Sequence, residues 1–403
     1  MSTVSDSVLG AGRLVFDGVG GLTTVVERMH ETIARHPLPF SRPPEQATRG
    51  HGLIAAGVYE SIRTVNGWAR DGFALGVGPL LRRLDDPSEP PSARREALVS
   101  VLNGVYGDHL DATGNPLAIP MSFRADGRSV QPQPQRLATA LPNATPHVLI
   151  LIHGLCLSDR WQAEDGQGLG SRLREEADFT PLTLRYNTGR HISTNGRELA
   201  GKLEALLAHW PVEVESLTLI GHSMGGLVAR SAGGYGSEAG HAWPGKLRSL
   251  VCLGSPHHGA PLEKSGNVLA AALRLSQYTD PLGLLGRIRS AGIKDLRYGN
   301  LCDEDWHGRD PDALAGDSRR PLPLLPGVKT CFAAATLARE DSNPRLDLIG
   351  DGLVRTPSAL GQHADERRRL RVPPEHRHVF HGLGHLELIG SPIVHQKLVE
   401  WLS

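Results

Sequence analysis

The run Gly221-His222-Ser223-Met224-Gly225-Gly226 sets a serine between glycines in the spacing G-x-S-x-G. A serine hydroxyl attacks a carbonyl only when a base takes its proton and the turn around it leaves it accessible. The apolar stretch Ser216-Leu217-Thr218-Leu219-Ile220 precedes this run, and Leu227-Val228-Ala229-Arg230 begins a helix after it. Strand, tight turn and helix in that order are what a nucleophile elbow requires, with glycines where side chains would collide. A glycine-rich turn with an incidental serine needs neither flank. His153-Gly154-Leu155 follows a second apolar run, Val148-Leu149-Ile150-Leu151-Ile152. A backbone amide there, paired with that of Met224, makes a two-donor oxyanion hole, each donor worth ~3–4 kcal/mol of barrier.

The acid and base of such a site follow the serine in the order Ser, Asp/Glu, His. The chain has 19 histidines, so a downstream histidine alone selects nothing. Placement in glycine-rich turns after strands does. Gly350-Asp351-Gly352-Leu353-Val354 follows a fifth strand, and Gly382-Leu383-Gly384-His385-Leu386 follows a sixth. Asp351 and His385 are the expected acid and base. Their rivals are His381, Asp347 and Asp341, each also explained by a solvent-exposed turn.

The elements that must position these residues divide near residue 140. Before it the pattern is helical: Val4, Val8, Ala11, Val15, Val19, Leu22, Val26, Met29 and Ile33 recur at steps of three and four. Gly18, Gly20 and Gly21 weaken that helix. A second stripe runs through Ile54, Val58, Ile62, Val65 and Ala69, and a third through Leu98, Val101, Leu102 and Val105. Gln131 to Pro146, with four prolines, reads as a linker. After it, strands alternate with helices: 148–152, 182–186, 216–220, 247–253, one within 328–337, and 378–380. Asn195 is the expected N-cap of the helix after the second strand, with Glu198 three residues on. Alternation of this kind implies a mostly parallel sheet with helices on both faces.

Composition narrows the class. The chain has 403 residues, with 43 basic against 43 acidic, which speaks against a nucleic-acid binder. Four cysteines lie far apart without C-x-x-C spacing, so neither a zinc ribbon nor a disulfide scaffold is indicated. The first residues lack a basic n-region and an apolar core, and no stretch reaches the ~20 apolar residues that span a bilayer. The expectation is a soluble cytoplasmic protein. His257 and His258 have no companion carboxylate at ligand spacing, so no metal is expected. Asp365-Glu366-Arg367-Arg368-Arg369-Leu370-Arg371 reads as a solvated surface segment rather than an anion site.

His153-Gly154-Leu155, Gly221 to Gly226, Ser255-Pro256-His257-His258-Gly259, Asp351-Gly352-Leu353-Val354 and His385-Leu386 together resemble the serine esterase and lipase branch of the α/β-hydrolase superfamily. The likeness is to bacterial triacylglycerol lipases and to hydrolases similar to GPI-inositol deacylases. It implies an α/β-hydrolase fold over residues 141–403, a Ser223, Asp351, His385 triad, and oxyanion amides from Leu155 and Met224. It implies no cofactor. The helical region 1–140 has no counterpart in the minimal lipase, and no signal peptide or calcium site can be matched. Residues 255–326 interrupt the alternation, with Leu282, Leu285 and Ile288 on an apolar helical stretch, and read as a cap over the acyl site.

The expected activity is carboxylester hydrolysis on a small-molecule or lipid ester. Acyl transfer or polyester depolymerisation would use the same triad, and a non-catalytic binding protein on this scaffold is the rival from another class. The stripe from Val4 to Ile33 must be covered by the hydrolase domain, a second copy of the chain, or a lipid or polymer surface. Its polar positions mix Asp6, Asp17, Glu27 and Glu31 with Arg13, Arg28 and Arg35, unlike a basic interfacial helix. Packing within the chain or in a homo-oligomer is therefore expected.

Overall fold

The computed structural model describes residues 6, 9–18, 93–160, 168–260, 290–309, 317–339 and 350–403. The chain divides into two compact units, Met1–Ser92 with Thr113–Leu117, and Ala93–Ala112 with Ala118–Ser403. In the first unit residues 9–18 are helical, and the Asn115 side chain donates to the Gly10 carbonyl (3.1 Å). Leu9 is buried there, whereas Val15 of the expected stripe is 65% exposed. Ala11 of that stripe is exposed as well; its other members and the whole of the second stripe lie outside the described residues.

The second unit is built on an eight-stranded sheet. Its strands are β1 (Ser122–Ala125), β2 (Arg128–Val130), β3 (His147–Ile152), β4 (Phe179–Arg185), β5 (Ser216–His222), β6 (Leu247–Leu253), β7 (Lys329–Thr336) and β8 (Arg377–His381). They lie in the order β2-β1-β4-β3-β5-β6-β7-β8. Strands β3 to β8 pair in parallel, and β1 pairs antiparallel with both β2 and β4.

The run Val148 to Ile152 in β3 is apolar throughout because both faces of the sheet are covered. Val148, Ile150 and Ile152 point into one core, with Leu219 and with Leu199, Leu203, Leu227 and Val228 of two helices. Leu149 and Leu151 point into the other, with Ile220, Val251, Leu173, Leu398 and Trp401. Among its helices are α1 (Ala93–Ala112, kinked at Tyr106), α2 (Leu169–Ala177), α3 (Ile192–Ala208), α4 (Met224–Glu238), α5 (Ala291–Leu296) and α6 (Pro392–Leu402). Side chains of α3 and α4 join the first core, and those of α2 and α6 join the second.

Three local expectations are corrected. The sheet begins upstream of residue 140, since β1 and β2 form a hairpin around Asp126 and Gly127, both at positive φ. Those strands are four and three residues long, too short to show an apolar period. The expected linker contains a helix, Pro134–Ala140, started by proline and anchored by buried Leu137. Helix α3 starts at Ile192, not after Asn195. The Ile192 amide donates instead to Asp295 Oδ2 (2.8 Å), and the buried Asn195 side chain donates to the Asn187 carbonyl (2.9 Å). A carboxylate from 103 residues downstream leaves no local capping signal.

Phe123 of β1 is buried in the first core. Phe123→Ala is expected to destabilise the second unit by about 3–5 kcal/mol, read as a lower midpoint in urea unfolding. An unchanged midpoint would place the hairpin outside the cooperative unit.

Candidate active site

Ser223 sits between β5 and α4 at φ 54°, ψ −122°. A side chain at positive φ is strained, and such strain persists only where the surroundings over-determine it. Here they do. The Ser223 amide donates to the Leu253 carbonyl at the end of β6 (2.8 Å), and its carbonyl accepts from Gly226 (3.2 Å). Helix α4 then folds back so closely that a Cβ on Gly225 would lie 2.2 Å from the Ile152 oxygen. A Cβ on Gly221 would lie 2.3 Å from the Gly226 nitrogen. Both glycines of the motif are therefore required by backbone contact.

The turns after β7 and β8 meet at the same edge of the sheet. His385 Nδ1 lies 2.7 Å from Asp351 Oδ2, and both side chains are buried. Asp351 Oδ1 accepts the amides of Leu353 (2.9 Å) and Val354 (2.8 Å), so the carboxylate is held on both oxygens. Burial opposes its charge, but the adjacent imidazole and these hydrogen bonds outweigh that and draw its pKa below the ordinary aspartate value. The His385 amide also donates to the Asp351 carbonyl (3.2 Å), which ties the two turns together. His222, one residue before the serine, donates from Nε2 to the His385 carbonyl (3.0 Å), with ring centroids 4.7 Å apart. The rival His381 is the last residue of β8, while the Asp351 carboxylate is taken by His385. Asp341 and Asp347 lie outside the described residues.

The turn after β3 closes a third side. A Cβ on Gly154 would lie 3.0 Å from Ser223 Cβ, so this turn passes directly beside the serine. Neither the Leu155 nor the Met224 amide donates to a partner among the described residues. Tyr186 donates its hydroxyl to the His153 carbonyl (2.8 Å) and stacks on the His153 ring at 4.5 Å. The Cys156 amide donates to Thr188 Oγ1 (3.2 Å). Burial pushes the Cys156 thiol up to about 12, so it is no competing nucleophile.

Elsewhere, His257 is buried, with Nδ1 3.2 Å from Arg230 and its ring against Phe332. A cavity of about 400 Å³ lies beside it, lined by Arg230, Arg319 and Arg368 among others, but by none of Ser223, Asp351 and His385. Within the segment expected to be solvated, Arg367 pairs with Asp365 and Arg369 with Glu366. Arg368 is the exception, half-buried and donating to Asp317 (3.1 Å).

Residues 195–307 match a family described as the PGAP1-like alpha/beta domain. Among solved structures, the chain is similar to the Bacillus licheniformis lipase BlEst2 in its mature form. The identity is 17% and the TM-score 0.41, over 63% of this chain and 91% of that one. It is also similar to the Staphylococcus hyicus lipase (14%, 0.35, 64% and 92%) and to the Pyrococcus furiosus esterase Pf2001 (14%, 0.34, 65% and 85%). No curated protein matches it in sequence. The sheet order, the crossovers and the family match give the α/β-hydrolase fold.

Sequence reasoning missed His222, Tyr186 and Thr188. The last two stand just past the end of β4, where only contact with the turn after β3 gives them a role. His222 is held neutral: burial, and then the nearby His385, lower its pKa to about 3. Between pH 3 and 6.5 the unfolded chain takes up a proton there that the folded chain does not, so stability is full above 6.5 and declines as pH falls. His153, lowered to about 4 by burial, acts in the same direction. The thermal midpoint is expected to fall between pH 6.5 and 4, and His222→Gln to flatten that decline by on the order of 3 kcal/mol. An unchanged slope in the variant would show that His222 is not the titrating group.

Proposed function

We propose that this α/β hydrolase is a serine carboxylester hydrolase with Ser223 as nucleophile, His385 as base and Asp351 as orienting acid. The observation that carries the reading is Ser223 strained at φ 54° on the elbow, at the edge where the His385–Asp351 pair also lies. No hydrogen bond joins Ser223 Oγ to His385 among the described residues. Such bonds are often long before substrate seats and shorten in the complex.

His385 takes the Ser223 proton on Nε2 as Oγ bonds to the ester carbonyl carbon. The carbonyl oxygen becomes an oxyanion held by the Leu155 and Met224 amides. The carbon–oxygen bond to the alcohol then breaks, the alcohol leaving with the proton from Nε2. Water repeats the sequence on the acyl-enzyme: it gives a proton to Nε2, attacks the acyl carbon, and releases the acid as Ser223 recovers its proton. Asp351 accepts from Nδ1–H throughout, fixing the tautomer and stabilising the imidazolium. We also read residues 255–326 as the cap over this site. In their described part, the Ala260 amide donates to the Leu296 carbonyl (2.9 Å) and Gly292 to Gly189 (3.0 Å) at the ends of α5.

Ser223→Ala is expected to stay folded and to lose turnover of a soluble aryl ester. Retained turnover would remove Ser223 from the mechanism. Asp351→Asn leaves the nucleophile but offers His385 the wrong tautomer, and kcat should fall by up to ~10⁴. A fall below tenfold would show that another carboxylate orients the base.

A further inference from the structure

We propose that helix α1, which precedes the hydrolase sheet, sets the position of the oxyanion loop 153–160, with Gly104 and Glu96 as positioning residues for the Leu155 amide. This inference rests on the serine-hydrolase reading above.

The loop touches α1 at two places. In its middle, Cys156 stands at φ 61°, with Sγ 3.9 Å from the Val101 carbonyl. A Cβ placed on Gly104 would lie 2.2 Å from Cys156 Sγ and 3.1 Å from Cys156 N and Cα. Val101, Val105 and Cys156 form a buried cluster, and the Leu155 side chain packs on it. The helix thus bears on Leu155, the oxyanion donor of the reading above, and on the residue after it. At the far end of the loop, Arg160 Nε lies 2.7 Å from Glu96 Oε2. Glu96 Oε1 is 2.8 Å from Arg185 of β4, and buried Asp159 is 3.1 Å from Arg124 of β1. The loop end, α1 and two strands therefore share one largely buried ion cluster. Such a cluster is costly to break on one side, so its geometry is well determined.

The helix is itself fixed without the loop's help. The Ser290 hydroxyl donates to the Gly104 carbonyl (2.6 Å), and the Ala291 amide donates to Asp108 (2.9 Å). The Asn187 side chain donates to the Gly107 carbonyl (2.8 Å), and the Ile119 amide donates to Asn103 Oδ1 (2.9 Å). Helix α1 is thus a reference surface, and the loop is seated against it through a contact that admits no side chain at residue 104. Oxyanion donors act only within a few tenths of an ångström of the developing charge, so a methyl group that pushes this loop costs rate rather than affinity.

The full-length protein tests this through the rate at which an alkyl fluorophosphonate labels Ser223, since the phosphoryl oxygen needs the same donors. Hydrolysis of p-nitrophenyl butyrate supplies kcat and KM alongside. Gly104→Ala is expected to slow labelling and lower kcat by about tenfold or more, with KM changed less than about threefold. Cys156→Ala removes the nearest clashing atom and leaves the 3.1 Å contacts to Cys156 N and Cα, so the Gly104→Ala/Cys156→Ala double variant should label faster than Gly104→Ala alone. Glu96→Gln, which keeps size and hydrogen bonding, should slow labelling about threefold or more. Wild-type labelling by Gly104→Ala, or no recovery in the double variant, overturns the proposal. If Gly104→Ala does not fold, Glu96→Gln decides, and a wild-type rate there overturns it. Absence of Ser223 labelling in the unmodified protein has a different signature: it removes the serine-hydrolase reading and this inference with it.

Discussion

The backbone of Ser223 is the constraint on which the rest depends. A non-glycine residue at φ 54° costs about 1–3 kcal/mol, and the strain is held only because β5, β6 and α4 fix both sides of the turn. Holding it requires a strand buried on both faces, so that Ser223 can donate to Leu253 of β6. It also requires a helix that starts within backbone contact of β3, which only Gly225 permits. Once those conditions are met, parallel strand order does the remaining placement. The carboxyl ends of β3, β5, β7 and β8 lie at one edge, so the turns bearing Leu155, Ser223, Asp351 and His385 meet there although they are far apart in the chain.

The electrostatics of that edge are sorted by burial. His222 and His153 are enclosed and held neutral, the first donating to the His385 carbonyl. Asp351 is also enclosed, yet its two amide hydrogen bonds and the imidazole beside it favour its charged form. Burial thus holds two histidines neutral at this edge, while hydrogen bonds favour the charged form of one carboxylate. The four buried free cysteines take no part.

Much of this was legible in the residues, for identifiable reasons. The six parallel strands overlap the segments predicted for them, and Val148 to Ile152 is apolar throughout because a strand covered on both faces needs no alternation. The turns that bring Ser223, Asp351 and His385 to one edge were legible because tight turns require glycine, and glycine is visible in a sequence. What escaped depended on contacts between distant segments. The β1–β2 hairpin is too short to carry a pattern. The start of α3 is capped by Asp295, a residue no local rule would search. Glu96 and Gly104 look like ordinary helix positions until Arg160 and Cys156 are seen against them.

The central claim is that Ser223 carries the acyl group during turnover. The most direct measurement is mass spectrometry of the protein mixed with an activated ester and quenched in acid within the first turnovers. The account predicts one added acyl mass, located on the peptide that contains Ser223 and lost as turnover completes. An acyl group on any other residue, or steady turnover with no adduct at any quench time, would contradict it.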